Sequence, residues 1–409
     1  MEVRPGFKQT EAGMLPADWD AVLLDSVSKR GSGHTPDKAH PEYWGGTIKW
    51  VSLQDTDRLD RVYIWDTAAK ITSAGIANSS ATMHSRGTVV LSRDAGVGKS
   101  AIMKDDMAVS QHFMAWKCGP SLNNQFLYYW LQSRKPEFER IAMGNTIKTI
   151  GLPYFQRLFI PLPKKSEQEA IAEALGDADA LIESLERLVA KKRQLKQGAM
   201  QELLHSRDGW VPKKLGNTAI LKARIGWQGL KAAEFLDSGD YVLVTGTEFE
   251  NGNIDWNSCH YVDALRYKQD RNIQLRENDV LVTKDGTIGK IALVKQLDRP
   301  ATLNSGVFVI RPIDGAFHPN FFYYLLCSRV FEAFLAQLSA GSTINHLYQK
   351  DFVSFIYETP ATIGEQVAIA TILSDMDADI AALEAKLAKA RQLKQGMMQE
   401  LLTGRIRLV

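Results

Sequence analysis

The chain has 409 residues, 45% hydrophobic and 23% charged, with Lys+Arg 49 against Asp+Glu 47. That length allows two or three domains with ordinary cores, and a formal charge of +2 excludes anion binding that rests on bulk charge, so an anionic partner must be met by local patches. Cys118, Cys259 and Cys327 are odd in number and far apart, which excludes a disulfide framework or a C-x-x-C metal site and fits a reducing compartment.

The opening stretch MEVRPGFKQTEAGMLPADWD lacks the apolar core of a signal peptide, and no run reaches membrane-spanning length. A cytoplasmic protein with no membrane partner is expected. Next comes HTPDKAHPEYWGGTIKW (34–50), whose Tyr43, Trp44 and Trp50 have two readings, stacking on a flipped base or packing in a core. Core packing is the favoured one. TVVLS (88–92) reads as a strand, LSRDAGVGKSAIM (91–103) as a Gly-bearing turn with a basic tip, and FLYYWLQSR (126–134) as a helix packed on a sheet.

After Pro161 and Pro163 a long helix is predicted from Glu167 to Leu204, started by a capping box at Ser166-x-x-Glu169. Ile171, Leu175, Ala178, Ile182, Leu185 and Val189 alternate at spacings of four and three, the seam of a coiled coil.

The remaining half repeats this order. RQLKQGAMQELL (193–204) returns as RQLKQGMMQELL (391–402), differing only at Ala199 and Met397, and the helix before it returns with its seam at Ile369, Leu373, Met376, Ile380, Leu383, Leu387 and Ala390. Thr362-x-x-Glu365 is a weaker start signal for this second helix. VTKDGTIGKIALV (282–294) matches the first Gly turn, FFYYLLCSR (321–329) the first short helix, and GSTINHL (341–347) matches GNTIKTI (144–150). Trp210 and Leu215 answer Trp19 and Leu24. YVLVTG (241–246), DVLVT (279–283), KIALV (290–294) and GVFVIRP (306–312) read as strands. Segments 31–87 and 224–278 correspond poorly, as expected if each half recognises something different. Gly198 and Gly396 recur late in the helices, where Gly costs about 1 kcal/mol against Ala, and are read as points of close backbone approach to the other helix or to a docked partner.

Catalytic signatures are sparse. GVGKS (96–100) lacks the first Gly of a phosphate loop, with Arg93 in its place, and the second copy lacks Ser/Thr after Lys290. No Asn/Asp-Pro-Pro-Tyr/Phe run, H-E-x-x-H pair or G-x-S-x-G elbow occurs, and pairs such as Asp105-Asp106 or Asp375/Asp377 read as solvated charges. No catalytic and no metal-ligating residue is assigned.

The duplicated EQ-x-AIA…LKQG-x-MQELL helix, HTPDKAHPEYWGGTIKW, the D-x-x-[VI]-GK turn and G-[NS]-T-I together resemble the DNA-specificity subunit of type I restriction–modification systems, over nearly the whole chain. The resemblance implies an α+β protein: two mixed α/β target-recognition domains (1–163 and 208–360) with a pair of long antiparallel coiled-coil helices (164–207 and 361–409), related by an internal pseudo-twofold duplication. It further implies a non-catalytic subunit that reads a bipartite, asymmetric site in double-stranded DNA. Two copies of a methyltransferase subunit carrying S-adenosylmethionine would dock on it, and restriction subunits using ATP and Mg²⁺ would join; no cofactor is expected in this chain. Two other readings stand beside it, a coiled-coil scaffold joining two protein-binding domains and a nucleotide hydrolase built on GVGKS.

Affinity for DNA should come from Lys and Arg on phosphates and specificity from groups reaching base edges. The candidates are Arg93, Lys99, Lys284 and Lys290 at the Gly turns, Asn145, Lys148, Ser342, Asn345 and His346 in the Gly-[Asn/Ser]-Thr-Ile loops, and Gln228 and Lys231 in the divergent segment. Ile171, Leu175, Ile182, Leu185 and Gly198, with Ile369, Leu373, Ile380, Leu383 and Gly396, are assigned to the helix and subunit interface. The charged faces of 186–196 and 384–394 suit either docking or plain solvation.

Overall fold

The structure is a computed structural model that describes residues 5–144, 148–226, 229–339 and 346–408. Two 39-residue helices organise it, Lys165–Leu203 and Ile363–Leu401. The chain forms two compact units, and their boundaries differ from a linear division into domains and spacers. One unit comprises Met1–Arg187 with Glu384–Val409, the other Leu188–Leu383. Each therefore holds one of the two mixed α/β domains, the first half of one long helix and the second half of the other. The second unit is one continuous stretch, whereas the first is assembled from both ends of the chain.

In the first unit a five-stranded sheet runs in the order Ser28–Gly31, Phe113–Cys118, Val89–Ser92, Ser100–Met103, Tyr63–Ile64. Val89–Ser92 is buried along its whole length because both its faces are covered. Val89 and Leu91 pack with Phe126, Tyr129 and Trp130 of helix Asn124–Ser133, while Val90 packs with Val51, Val109 and Phe113. A second sheet orders Ala69–Ile71, Trp44–Val51, Met107–Val109 and Met83–His84.

The second unit repeats the plan. Ala219–Lys222, Val307–Pro312, Val280–Thr283 and Ile291–Leu293 form one sheet, and His260–Val262, Tyr241–Val244 and Ala301–Leu303 the other. Helix Pro319–Leu326 covers the first sheet as Asn124–Ser133 does in its counterpart. All the strands expected from β-branched runs are present, apart from one or two residues at their ends.

The heptad seam is buried only in part, and its best-buried members join the cores of the two domains. Ile171, Leu175, Ile369 and Leu373 are at most 3% exposed, Val189 and Ile380 are buried, and Ile182, Leu185 and Leu383 are half-buried. Within the first unit the halves pair through Asp179–Lys394 and Glu186–Arg391, within the second through Lys192–Asp379 and Lys196–Asp377. Ascending one helix descends the other, so the pairing is antiparallel.

Four sequence expectations need correction. The first long helix begins at Lys165, with the amides of Glu167 and Gln168 bonded to the Lys164 carbonyl, so Ser166 lies inside it and caps nothing. The weaker signal does cap: Glu365 N donates to Thr362 Oγ1 at 3.2 Å. A Cβ added at Gly198 or Gly396 would meet nothing within 4 Å, so neither glycine serves close approach to the facing helix. Asp377 is no solvated charge, and the ion pairs just named take Lys192, Lys196, Arg391 and Lys394 out of a purely solvated face.

Candidate nucleic-acid interface

In each unit the Gly turn and the residues that directly follow the Gly-x-Thr-Ile phrase, separated by some fifty residues in sequence, are stitched side by side. In the first unit Ile150 N donates to Arg93 O at 2.9 Å, and Asp94 bridges Thr149. In the second, Leu347 N donates to Lys284 O at 2.8 Å. The turns themselves are alike. Gly98 N bonds Ser92 O, and Gly289 N bonds Thr283 O, with Gly98 at φ +83° and Gly289 at φ +79°. Glycine is required at Gly98, where a Cβ would also lie 2.9 Å from Lys135 Cγ.

The frame thus brings Arg93 together with Lys148, and Lys284 with His346. Asn145, Ser342, Asn345 and Gln228 lie outside the described residues. Lys148 is exposed. Arg93 is 18% exposed beside Asp94 at 3.6 Å, and Lys284 14% exposed, over the Phe308 ring at 5.6 Å. Both cations are therefore partly sunk, with short reach, and suit a phosphate or a base edge pressed against the loop. Lys290 is half-buried, and its ammonium has no hydrogen-bond or ion-pair partner among the described residues.

Lys99 is different. Its ammonium donates to Thr56 O at 3.2 Å and lies 3.6 Å from Asp57, so it fastens the turn to the 53–58 segment. The strand after it, Ser100–Met103, is the antiparallel neighbour of Val89–Ser92. A phosphate loop leads from strand to helix, whereas this turn closes a hairpin, which removes the nucleotide-hydrolase reading. Lys231 belongs to a different segment, where Leu236 and Tyr261 exchange backbone hydrogen bonds and Glu234 pairs with Arg266.

Beneath each loop pair sits an aspartate bound to a histidine. Asp94 accepts from His112 Nδ1 at 2.6 Å, and Asp285 pairs with His346. The aspartates are repeat-equivalent but the histidines are not, since His346 aligns with Thr149. The same hydrogen-bonded prop has been built from two loops.

The structure also exposes residues that motif reasoning passed over. Gln168 is fully buried at the head of its helix, donating to Ser121 O and Pro163 O and accepting from Asn123 N. Gln366 does the same with Pro360 O and His318 N. Each glutamine pins a long helix to the start of the short helix over the sheet. Further along, Tyr129 OH donates to Asp179 at 2.9 Å, and Lys394 reaches the other oxygen of that carboxylate at 2.5 Å. Tyr324, Asp377 and Lys196 repeat this at 2.7 and 2.5 Å. The signal was present in the recurring EQ, YY and LKQG, because each is one part of a duplicated contact.

No group of three His, Cys, Asp or Glu among the described residues is placed to hold a metal, and no described helix is long and apolar enough to cross a membrane.

Comparison with known proteins agrees with this geometry. Residues 16–196 and 208–392 each match the type I restriction modification DNA specificity domain. The chain is 24% identical over 422 residues to the type I restriction enzyme MjaVIII specificity subunit of Methanocaldococcus jannaschii, covering 98% of this chain and 96% of that one. It is 37% identical over 206 residues to a putative type I specificity subunit of Mycoplasma genitalium, half of each chain. Its fold resembles the crystal structure of a type I restriction–modification S subunit from M. genitalium, with a TM-score of 0.61 at 16% identity over 98% of both chains. With two domain matches spanning most of its length, the chain belongs to the type I restriction–modification DNA specificity family, as a non-catalytic DNA-recognition protein with two target-recognition domains.

Proposed function

We propose that the chain reads a bipartite, asymmetric site in double-stranded DNA, one half by each target-recognition domain, and presents it to methyltransferase and restriction subunits. The observation that carries this is the duplicated loop frame with unlike side chains. Arg93 and Lys284, and Thr149 and His346, occupy equivalent positions on the same backbone scaffold. Two such readers joined in one chain recognise two different half-sites, with the gain in effective concentration that a fitting linker provides.

Two copies of the methyltransferase subunit are expected because the docking surface is written twice. Leu195 and Leu393, the same position in the repeated phrase, are 52% and 60% exposed on their helices. S-adenosylmethionine then belongs to the methyltransferase and ATP with Mg²⁺ to the restriction subunit, all in the cytoplasm. The relatives' names as subunits of restriction enzymes, and the description of one solved neighbour in terms of complex assembly of a type I R-M system, support such partners.

Methylated-adenine sequencing of DNA from cells that co-express the chain with the neighbouring methyltransferase tests the proposal. A bipartite motif, of which one half alone changes when 208–360 is exchanged for the same segment of a relative, is expected. Methylation unchanged by removing the chain would overturn it.

A further inference from the structure

Beside the first unit's loop frame lies a cleft of about 520 Å³, within the range of small-molecule sites, lined by Trp44, Trp50, Lys38, Gln54, Ser110 and His112 among others. Its two indoles stand nearly perpendicular, at 83° and 5.2 Å between centroids. Both are locked from behind, Trp44 Nε1 donating to Asp37 O and Trp50 Nε1 to His34 O, each at 3.1 Å. With their donors used, the rings offer the cleft apolar aromatic surface, chiefly that of Trp44 because Trp50 is 6% exposed, and every base can stack on an aromatic face.

Around this corner the polar groups are uncommitted. Neither the Lys38 ammonium nor the Gln54 carboxamide has a partner among the described residues, and both side chains are exposed. His112 is held by Asp94 through Nδ1, so Nε2 is the nitrogen left for a ligand. Ser110 carries a buried hydroxyl with no partner.

Among the described residues the second unit has no such pair of rings at the equivalent place. Ser110 N bonds Val51 O in the first unit as Asn304 N bonds Val244 O in the second, which aligns Trp50 with Leu243 and Val109 with Leu303. Gly33 passes so close to Val109 that a Cβ would lie 1.7 Å from its carbonyl oxygen. In its place the second unit has Arg224, 2% exposed, whose Nε donates to Leu303 O at 2.9 Å and whose guanidinium reaches Thr302 and Gln269. The Val109 carbonyl of the first unit is thus met by glycine backbone, and the equivalent Leu303 carbonyl of the second by a buried guanidinium.

We propose that this cleft receives one unstacked nucleotide, its base against the corner of Trp44 and Trp50 and its phosphate on Lys38. This rests on the DNA-reading function, with the base supplied by the bound duplex; a free mononucleotide has the same chemistry. Only the first half-site would be read in this way.

The test uses the full chain with its methyltransferase partner on the mapped site, as wild type, Trp44→Ala, Trp44→Phe and Lys38→Ala. Base–aromatic stacking predicts that Trp44→Ala lowers affinity about 5- to 150-fold, with Trp44→Phe restoring most of it. A site made abasic at one position of the first half should bind Trp44→Ala no more weakly than wild type. Lys38→Ala, which disturbs no packing, should weaken binding to both the intact and the abasic site. In a second arm, equilibrium dialysis of the full chain against dAMP, dGMP, dCMP and dTMP, Trp44-dependent retention with unchanged DNA affinity would identify free mononucleotides as the occupant. DNA affinity within twofold of wild type for both Trp44→Ala and Lys38→Ala, with no mononucleotide retained, would overturn the proposal while leaving DNA reading intact. Failure of the wild type to prefer its site over unrelated DNA would instead overturn the DNA-reading function, and mononucleotide retention alone would then decide the cleft.

Discussion

Replacing Lys394 by Met should destabilise the first unit, and Lys196→Met the second, by similar amounts. Each ammonium lies 2.5 Å from a carboxylate that also accepts from a tyrosine, Asp179 with Tyr129 and Asp377 with Tyr324. The lysine and aspartate side chains are 20–28% exposed, between the surface pairs worth about 0.2–1 kcal/mol and the buried ones whose breakage costs about 3–5. Solvent screening at that exposure places the loss at about 1–3 kcal/mol. Met preserves the stem's contact with the tyrosine ring, over which each ammonium sits at 5.5 Å, so the loss reports on charge. For units of this size the melting temperature should fall about 2–4 °C per kcal/mol, measured by differential scanning calorimetry. Tyr129→Phe should cost about 1.5–3 kcal/mol as a hydrogen bond to a charged group, and the double variant with Lys394→Met should fall short of the sum by about 0.5 kcal/mol or more, because the two share one carboxylate. Strict additivity, or a Lys394→Met shift under 1 °C, would refute the triad as the reason the LKQG phrase recurs.

Gln168→Ala should cost about 2–4 kcal/mol in urea unfolding, since it strands two carbonyls and an amide in a fully buried site, and Gln168→Glu should rescue little because an acceptor would face both carbonyls. Residues 1–207 alone should dimerise, each copy's Lys196 meeting the other's Asp179 in place of Lys394; a monomer at high concentration in ultracentrifugation would refute the pairing. His84 is half-buried against Ser32 O, and desolvation holds its pKa below 6.5. The folded state therefore takes up a proton less readily than the unfolded chain. Stability from this group is full above pH 6.5 and declines as pH falls below it, and His84→Gln should flatten the decline in melts from pH 7.5 to 5. Burial raises the thiols of Cys118, Cys259 and Cys327 to about 12, so iodoacetamide should label none of them in the native protein at pH 8 within the time that labels the denatured chain.

Much of the fold was legible because repetition makes weak local signals reinforce each other. The heptad seam, the strands and the Gly turns each occur twice. What stayed hidden depended on long-range partners. Asp377 reads as a surface charge on its own helix and becomes half-buried only when Tyr324 and Lys196 arrive from elsewhere. Gly198 and Gly396 suggested close approach, yet no Cβ clash exists at either, and nothing within the chain explains them. At the Gly turns, the internal repeat brought out Arg93 and Lys284 but could not pair Asp94 with His112, since Gly306 stands at the equivalent place in the second half. The Trp44–Trp50 corner was favoured as core, and Trp50 is indeed only 6% exposed, though both rings line a cleft. Lys99 looked like a DNA contact because a basic turn residue is usually solvated, whereas here the Thr56 carbonyl and Asp57 engage it.

The first unit's composition from both ends of the chain has a consequence for synthesis. Arg407 clamps Asp18 and the buried Glu167 while Leu401 and Leu402 enter the first unit's core, so that core lacks part of its wall until residues 384–408 have emerged. At about 5–20 residues per second, the ribosome needs about 10–40 s to pass from Arg187 to Glu384, and within that interval the second unit's whole sequence becomes available. The domain translated first is the one completed last. A premature stop in the final turn of the second long helix would therefore damage the recognition domain at the opposite end of the reading frame and spare the one beside it.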